Sequence, residues 1–191
     1  RSTLFPYTTL FRSVELESQK YFYLDERFDS AFFASRRAVL IGNYTWSESK
    51  IKVKPGDVTF VFPLGERPAS LFFLDGLPLA GQSDHLVNLQ IGLEDTARLS
   101  QQTLLVSYTS DRAFSRGAAG LPDVIESPGV SLDFVMRQGL RLFGQDLEFK
   151  FEARNLLETR YEEFQRRGSN KVFFNRYDQR IKFSASVSAS F

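Results

Sequence analysis

The last residues of the chain, Arg180 to Phe191, alternate without a break. Ile181, Phe183, Ala185, Val187, Ala189 and Phe191 are apolar, and Arg180, Lys182, Ser184, Ser186, Ser188 and Ser190 between them are polar. A period of two places successive side chains on opposite faces of a strand, so this segment has one apolar and one wet face. It is longer than the roughly five or six residues usual in soluble sheets, and it matches the roughly 9–11 residues that cross a bilayer as a β-strand. The constraint is severe: a strand this long and two-faced needs neighbours with the same partition.

Six upstream segments qualify. Val14 to Leu24 is extended but mixed on both faces. Ala38 to Val53 carries Ala38, Leu40, Gly42, Tyr44 and Trp46 on one side, with Asn43, Thr45 and Ser47 on the other. His85 to Leu93 sets His85, Val87, Leu89, Ile91 and Leu93 against Leu86, Asn88, Gln90, Gly92 and Glu94. Ser100 to Tyr108 and Val130 to Leu142 follow the same rule, and Leu147 to Asn155 opposes Leu147, Phe149, Phe151 and Ala153 to Glu148, Lys150, Glu152 and Arg154. The connections alternate in length. Those around Asp25–Arg37, Glu94–Leu99 and Phe143–Asp146 are short or medium. Those at 55–84, 109–128 and 156–178 are long loops, the first rich in proline and glycine. Short turns on one rim and long loops on the other are the pattern of outer-membrane barrels, and a soluble sandwich has no reason for it.

Composition agrees with such a wall. Mean hydropathy is negative, because lipid-facing and lumen-facing residues average out in a barrel. Twenty Phe and seven Tyr stand beside a single Met and a single Trp, an excess that aromatic girdles or an aromatic core would use. A net charge of +1 gives no electrostatic case for nucleic acid. The absence of Cys excludes disulfides and thiolate metal sites, and one His disfavours a histidine metal site. No run of 18 apolar residues encodes a transmembrane helix. No cofactor is implied, and no nucleophile–base constellation, phosphate loop or paired-carboxylate motif supports catalysis.

The amino terminus has a different origin on this reading. Residues 3–13, Thr-Leu-Phe-Pro-Tyr-Thr-Thr-Leu-Phe-Arg-Ser, match codon by codon the translation of a widely used sequencing adaptor. Residues 1–13 are therefore set aside as a translated adaptor, and 14–191 is taken as the protein proper.

Orientation follows from the loops. The last long connection lies outside, so the final strand runs inward and Phe191 sits at the periplasmic interface. Tyr44, Trp46, Tyr108, Tyr161 and Tyr177 fall at or near outer strand ends, where an aromatic girdle belongs. The charged row Glu148, Lys150, Glu152 and Arg154 is costly in lipid and must face the lumen. Seven strands is odd and below the minimum of about eight for single-chain barrels, so the chain is expected to be the end of a longer one. Alone it should form an open, curved antiparallel sheet with two bare edges, prone to aggregate.

Asn155-Leu156-Leu157-Glu158-Thr159-Arg160-Tyr161, followed by Tyr177 and the terminal strand ending in Phe191, resembles the carboxy-terminal signature of TonB-dependent outer-membrane receptors. The segments around Asn43-Tyr44-Thr45-Trp46 and Gln101–Tyr108 resemble the barrel of the same family. The resemblance implies an all-β antiparallel transmembrane barrel of about 22 strands with a plugged lumen, of which this chain supplies the last seven. It implies an outer-membrane location and energised uptake of a scarce ligand such as a siderophore, cobalamin or a glycan. The implied partners are outer-membrane lipid, the plug and remaining barrel, the TonB complex through an amino-terminal region not in this chain, and the barrel-assembly machinery, which reads the terminal Phe strand. Another outer-membrane barrel, a porin or an assembly protein, and a soluble β-sandwich binding module remain as alternatives.

Individual residues carry double readings. His85 could touch a metal chelate or simply sit at the interface. Arg160, Arg166, Arg167 and Lys171, with Glu162, Glu163, Arg176 and Asp178, could receive an anionic ligand or form a solvated, mutually paired loop. Glu148, Lys150, Glu152 and Arg154 could line a transport path, contact the plug or supply general lumenal polarity. Asp111, Arg112 and Asp123 read as ordinary loop charges.

Overall fold

The computed structural model describes residues 8–117, 121–142 and 144–189. The chain is all-β: β1 (Thr8–Tyr23), β2 (Arg36–Lys52), β3 (Val58–Val61), β4 (Gly65–Pro68), β5 (His85–Asp95), β6 (Ser100–Thr109), β7 (Arg112–Ser115), β8 (Val124–Ser127), β9 (Gly129–Leu142), β10 (Gln145–Arg154), β11 (Arg160–Arg167), β12 (Asn170–Asp178) and β13 (Lys182–Ala189), with one 3₁₀ turn at Ala69–Leu71. No helix among the described residues is long and apolar enough to cross a membrane.

Seven strands form one antiparallel sheet in the order β1-β2-β5-β6-β9-β10-β13. Each pairs with the next of the seven along the chain, so the sheet is a plain meander. It is open, with β1 and β13 as its edges. These seven correspond to the segments picked out by alternation, because period two states the face of every residue once the strand is paired.

The register carries an apolar face across the sheet, and the opposite face is mainly polar but also holds Val39, Ile41, Leu86, Leu105 and Val135. On one face Leu16, Tyr44, Val87 and Tyr108 line up, as do Leu40, Ile91, Leu104 and Phe134. Farther along, Phe134, Phe151 and Phe183 make an aromatic stripe, with ring centroids 6.4 Å and 6.2 Å apart. The other face joins Glu17, Asn43 and Asn88, then Ser131, Asp133, Arg137, Glu148, Lys150, Glu152 and the terminal serines. Polar residues on the apolar face (Lys20, Gln102, Gln138) lie toward the rim of the short connections.

Among the described residues, neither face is covered by a second layer. None of the large side chains among the described residues is fully buried, while Leu16, Leu40, Ile91, Leu104, Leu140, Phe183 and Val187 are exposed. Most of the few buried apolar groups sit where connections fold back, namely Ile51 at the end of β2, Ala69, Ala113, Val124 and Phe164; Val39 and Ala153 are buried within the main sheet.

The connections revise the sequence reading in one respect. The short rim is as expected, at 24–35, at 96–99 and between Leu142 and its partner Gln145, where Gly144 takes φ 79°. The long loops, however, are structured. The first contains the β3–β4 hairpin, and the other two combine into a four-stranded sheet in the order β12-β11-β8-β7. Strand pairing between β8 and β11 joins segments distant in sequence, which local periodicity cannot show. Tyr161 and Tyr177 consequently sit in this smaller sheet, stacked at 4.8 Å, and not at the ends of the main strands. Thr8 to Ser13, set aside above, extend β1 and pair with Lys52 to Ser47. Ladder hydrogen bonds use backbone groups common to every residue, so a segment of any origin can continue a strand. Phe191 lies outside the described residues.

Candidate functional site

Three groups of sequence-selected residues occupy three levels of the molecule. At the long-loop end of the apolar face, Trp46 stands opposite His85, and the Tyr44 hydroxyl is 2.9 Å from His85 Nδ1. The two rings stack with centroids 6.1 Å apart. Tyr108, paired with Val87 and Val130, continues the row. Tyrosine and tryptophan with an apolar body and a polar tip suit the boundary between an apolar band and water. His85 is engaged by a tyrosine hydroxyl at the start of β5, and among the described residues no group of three His, Asp or Glu side chains could hold a metal ion.

On the polar face, Glu148, Lys150, Glu152 and Arg154 do share one side of β10. They are paired with each other and with β9. Arg137 donates to both oxygens of Glu148 at 2.6 and 3.1 Å. Lys150 Nζ lies 2.5 Å from Glu152, which also accepts from Arg154 at 3.1 Å. Farther across the sheet Asn43 donates to Glu15 at 2.8 Å, and Arg37 pairs with Glu94. The row is a self-neutralising ladder of alternating sign.

Beyond this aromatic row, the smaller sheet organises the loop charges. One face of β11–β12 is built on Phe164 and Phe173, capped by cations. Lys171 Nζ lies 3.9 Å from the Phe164 centroid and 4.6 Å from that of Phe173, Arg166 lies 5.4 Å over Phe164, and Arg176 lies 4.7 Å over Phe173. Cations over aromatic faces contribute about 0.5–1 kcal/mol each at exposed sites. Glu162 holds Lys171 at 2.8 Å and Arg176 at 3.2 Å, and the Lys171 hydrogen bond pulls the Glu162 carboxyl below its ordinary value. Arg160 pairs with Asp178 at 2.7 Å, and Arg167 is exposed beside Gly168, whose φ of 59° makes the β11–β12 turn. Of the four cations singled out from sequence, Arg166 and Lys171 converge on the Phe164 ring, while Arg160 and Arg167 stand apart.

The opposite face holds a network that the sequence did not announce. Glu126 and Glu163, both buried, stand directly opposite each other across β8 and β11. Arg112 donates to Glu126 at 2.7 Å, and the Tyr161 hydroxyl donates to Glu163. The hydrogen bond to Glu163, assisted by burial, raises the Tyr161 phenol, and Glu126 raises the Arg112 guanidinium. Arg112, Asp111 and Asp123 are thus not free loop charges: Asp111 accepts from Ser127 at 2.5 Å, and Asp123 from Gly117 N at 2.9 Å and from Arg116.

The Asn155–Tyr161 motif forms the joint between levels. Asn155 has φ 57° and Glu158 φ 51°. Asn155 N donates to Asp133 at 2.8 Å, its side-chain carbonyl accepts from Thr159 N at 3.0 Å, and its amide donates to the carbonyls of Thr159, at 3.3 Å, and Gln179. One residue therefore ties β9, the loop and the entry to β13.

No family model matches the chain, and neither the curated proteins nor the solved structures contain a match.

Proposed function

We propose that this chain is part of the wall of an outer-membrane β-barrel, and that the barrel is a receptor of the TonB-dependent type taking up a scarce ligand. The observation that carries the first part is the two-sidedness of the seven-stranded sheet: an uncovered apolar face in register from β1 to β13, and a mainly polar opposite face whose charges are paired with one another. Water on the apolar side would leave large side chains exposed at about 25 cal/mol per Å² of apolar area. Lipid removes that penalty. On β9 the band runs from Val130 to Leu140, about 34 Å at ~3.4 Å per residue. A tilt of about 40° makes that a band of about 26 Å, against about 25 Å for outer-membrane barrels. Tyr44, Trp46, His85 and Tyr108 then mark the outer interface. Backbone groups at the β1 and β13 edges require further strands, since unpaired edges are not tolerated in hydrocarbon.

The receptor part is supported by the Asn155–Tyr161 segment and by the long connections folded into a layer above the girdle, where an incoming ligand would first be met. No sandwich partner covers the main sheet among the described residues, which argues against a soluble binding module.

The test is a cysteine scan in membranes carrying the complete protein, with no other cysteine present. Bimane placed at Leu89, Leu104 or Phe151 should be quenched by brominated lipid, and at Gln90, Thr103 or Lys150 it should not. Equal quenching on both faces, or recovery of the protein in the soluble fraction, overturns the barrel. For the receptor, the coding region upstream should encode a plug domain; its absence moves the reading to a passive barrel.

A further inference from the structure

The long-loop layer contains a cavity that none of the preceding roles uses. It lies between the chain returning to β5 and the β7–β8 arm, and measures about 220 Å³. One water occupies about 30 Å³ and drug-sized pockets run to roughly 300–1,000 Å³, so the space suits a small molecule. Leu77, Pro78, Ala113 and Ile125 give it apolar walls, and Gln82, Asp84, Asp111 and Arg116 contribute polar ones.

Two of these half-buried side chains hold buried polar atoms that lack partners. Gln82 Oε1 and Nε2 and Arg116 Nε and Nη2 make no hydrogen bond with any described residue. Such atoms are costly to bury, and native structures retain few. Both side chains are nevertheless held in place. Gly81 N donates to Ala113 O at 2.7 Å and Ser83 Oγ to Ser110 O at 2.9 Å, fixing the backbone on either side of Gln82. Arg116 is anchored through Nη1 to Asp123, which Gly117 N grips from the other side. Anchoring through Nη1 leaves Nε–H and Nη2–H, the parallel donors of one guanidinium edge. That edge matches the two oxygens of a carboxylate.

The surrounding charge narrows the choice. Asp123 is committed to Arg116, and Arg112 to Glu126. Asp84 and Asp111 carry no cationic partner among the ion pairs of the described residues, so a simple anion would meet two carboxylates beside its arginine. A simple cation would leave the arginine edge bare. We propose that this cavity binds a small zwitterion, its carboxylate on Arg116, its ammonium toward Asp84 and Asp111, and its remaining polar atoms on Gln82. A free α-amino acid with an aliphatic side chain is the simplest member of that class. The proposal does not depend on the barrel reading, because every group in it belongs to the loop layer.

Calorimetric titration of the purified complete protein tests it with three probes: L-leucine, N-acetyl-L-leucine and L-leucine amide. L-leucine should bind, and the acetylated and amidated probes should bind about tenfold or more weakly, each lacking one charge. Arg116→Lys keeps a cation for Asp123 but loses the fork, and should weaken L-leucine about tenfold with the ligand-free melting temperature unchanged. Gln82→Leu should abolish the binding yet raise the ligand-free melting temperature, because it removes two unpartnered buried atoms; a purely structural glutamine would lower it. Binding of no probe, equal binding of leucine and N-acetyl-leucine, or unchanged affinity in a folded Arg116→Lys protein overturns the proposal. Membrane insertion is read separately by the cysteine scan, so failure of either idea leaves the other standing.

Discussion

Lys150 stands directly opposite Arg137 across the β9–β10 ladder, two cations on one face, and each is held by a different carboxylate of β10. Like charges at paired positions destabilise a sheet, so Glu148 and Glu152 are what make the arrangement tolerable. Glu148→Gln should lower stability by about 0.5–1.5 kcal/mol, because Arg137 is left facing Lys150 with no counter-charge. Lys150→Ala should change stability by less than about 0.5 kcal/mol. In the double variant the Glu148→Gln penalty should shrink, which a double-mutant cycle on urea unfolding in vesicles would read; an unchanged penalty contradicts the mutual-neutralisation account.

Phe151 sits in the middle of the aromatic stripe between Phe134 and Phe183. Phe151→Lys places a charge near mid-band on the apolar face and should cost about 2–4 kcal/mol in lipid, while Lys150→Ala next to it should be near neutral. The contrast is the measurement, because neighbouring residues of one strand differ only in face. Similar losses at both positions would refute the assignment of faces.

The smaller sheet should be stable within a pH window. The Glu162 carboxyl is held low in the folded state by Lys171, so its contribution is present above the unfolded value of about 4.3 and is lost as pH falls through the folded one. The Tyr161 phenol is raised by Glu163, so its contribution is present below the unfolded value of about 10 and is lost at higher pH. Amide protection factors in β11 and β12, taken relative to the intrinsic exchange rate at each pH, should therefore fall on both sides of the window. Glu162→Gln should flatten the acid limb and Tyr161→Phe the alkaline limb. Protection factors in these strands with no such limbs would contradict both couplings.

Asn155 combines a left-handed backbone with hydrogen bonds to three segments. Asn155→Ala should cost about 2–3 kcal/mol, through strain of about 1 kcal/mol and lost side-chain hydrogen bonds. Asn155→Gly keeps the backbone free and should cost only the hydrogen-bond part. Thermal unfolding of the two variants separates the contributions, and equal losses would assign the residue's importance to its side chain alone.

What could be read from sequence follows from how each element is encoded. The main strands are local patterns: Leu147 to Arg154 states its two faces outright, and the partner register of β13 agrees residue by residue. Strand β1 was ambiguous because its apolar face carries Ser18 and Lys20, and only pairing with β2 sorts its residues. The smaller sheet was invisible for a stronger reason. Arg160 to Arg167 is charged at positions on both faces, and its stability comes from Lys171 over Phe164 and from β8, a strand of another loop. The cavity was less legible still. Gln82 and Arg116 belong to different connections, and neither stands in a motif; what distinguishes them is the absence of partners once the loops have met.

The meeting of the loops has a consequence for how this surface is recognised. Gly81 binds Ala113, and β8 pairs with β11, so the three long connections are joined edge to edge. An antibody or phage that grips this rim would contact pieces of three separate stretches of sequence at once. Peptides copied from any single connection would reproduce little of that epitope, and an escape substitution in one loop would be felt in the other two.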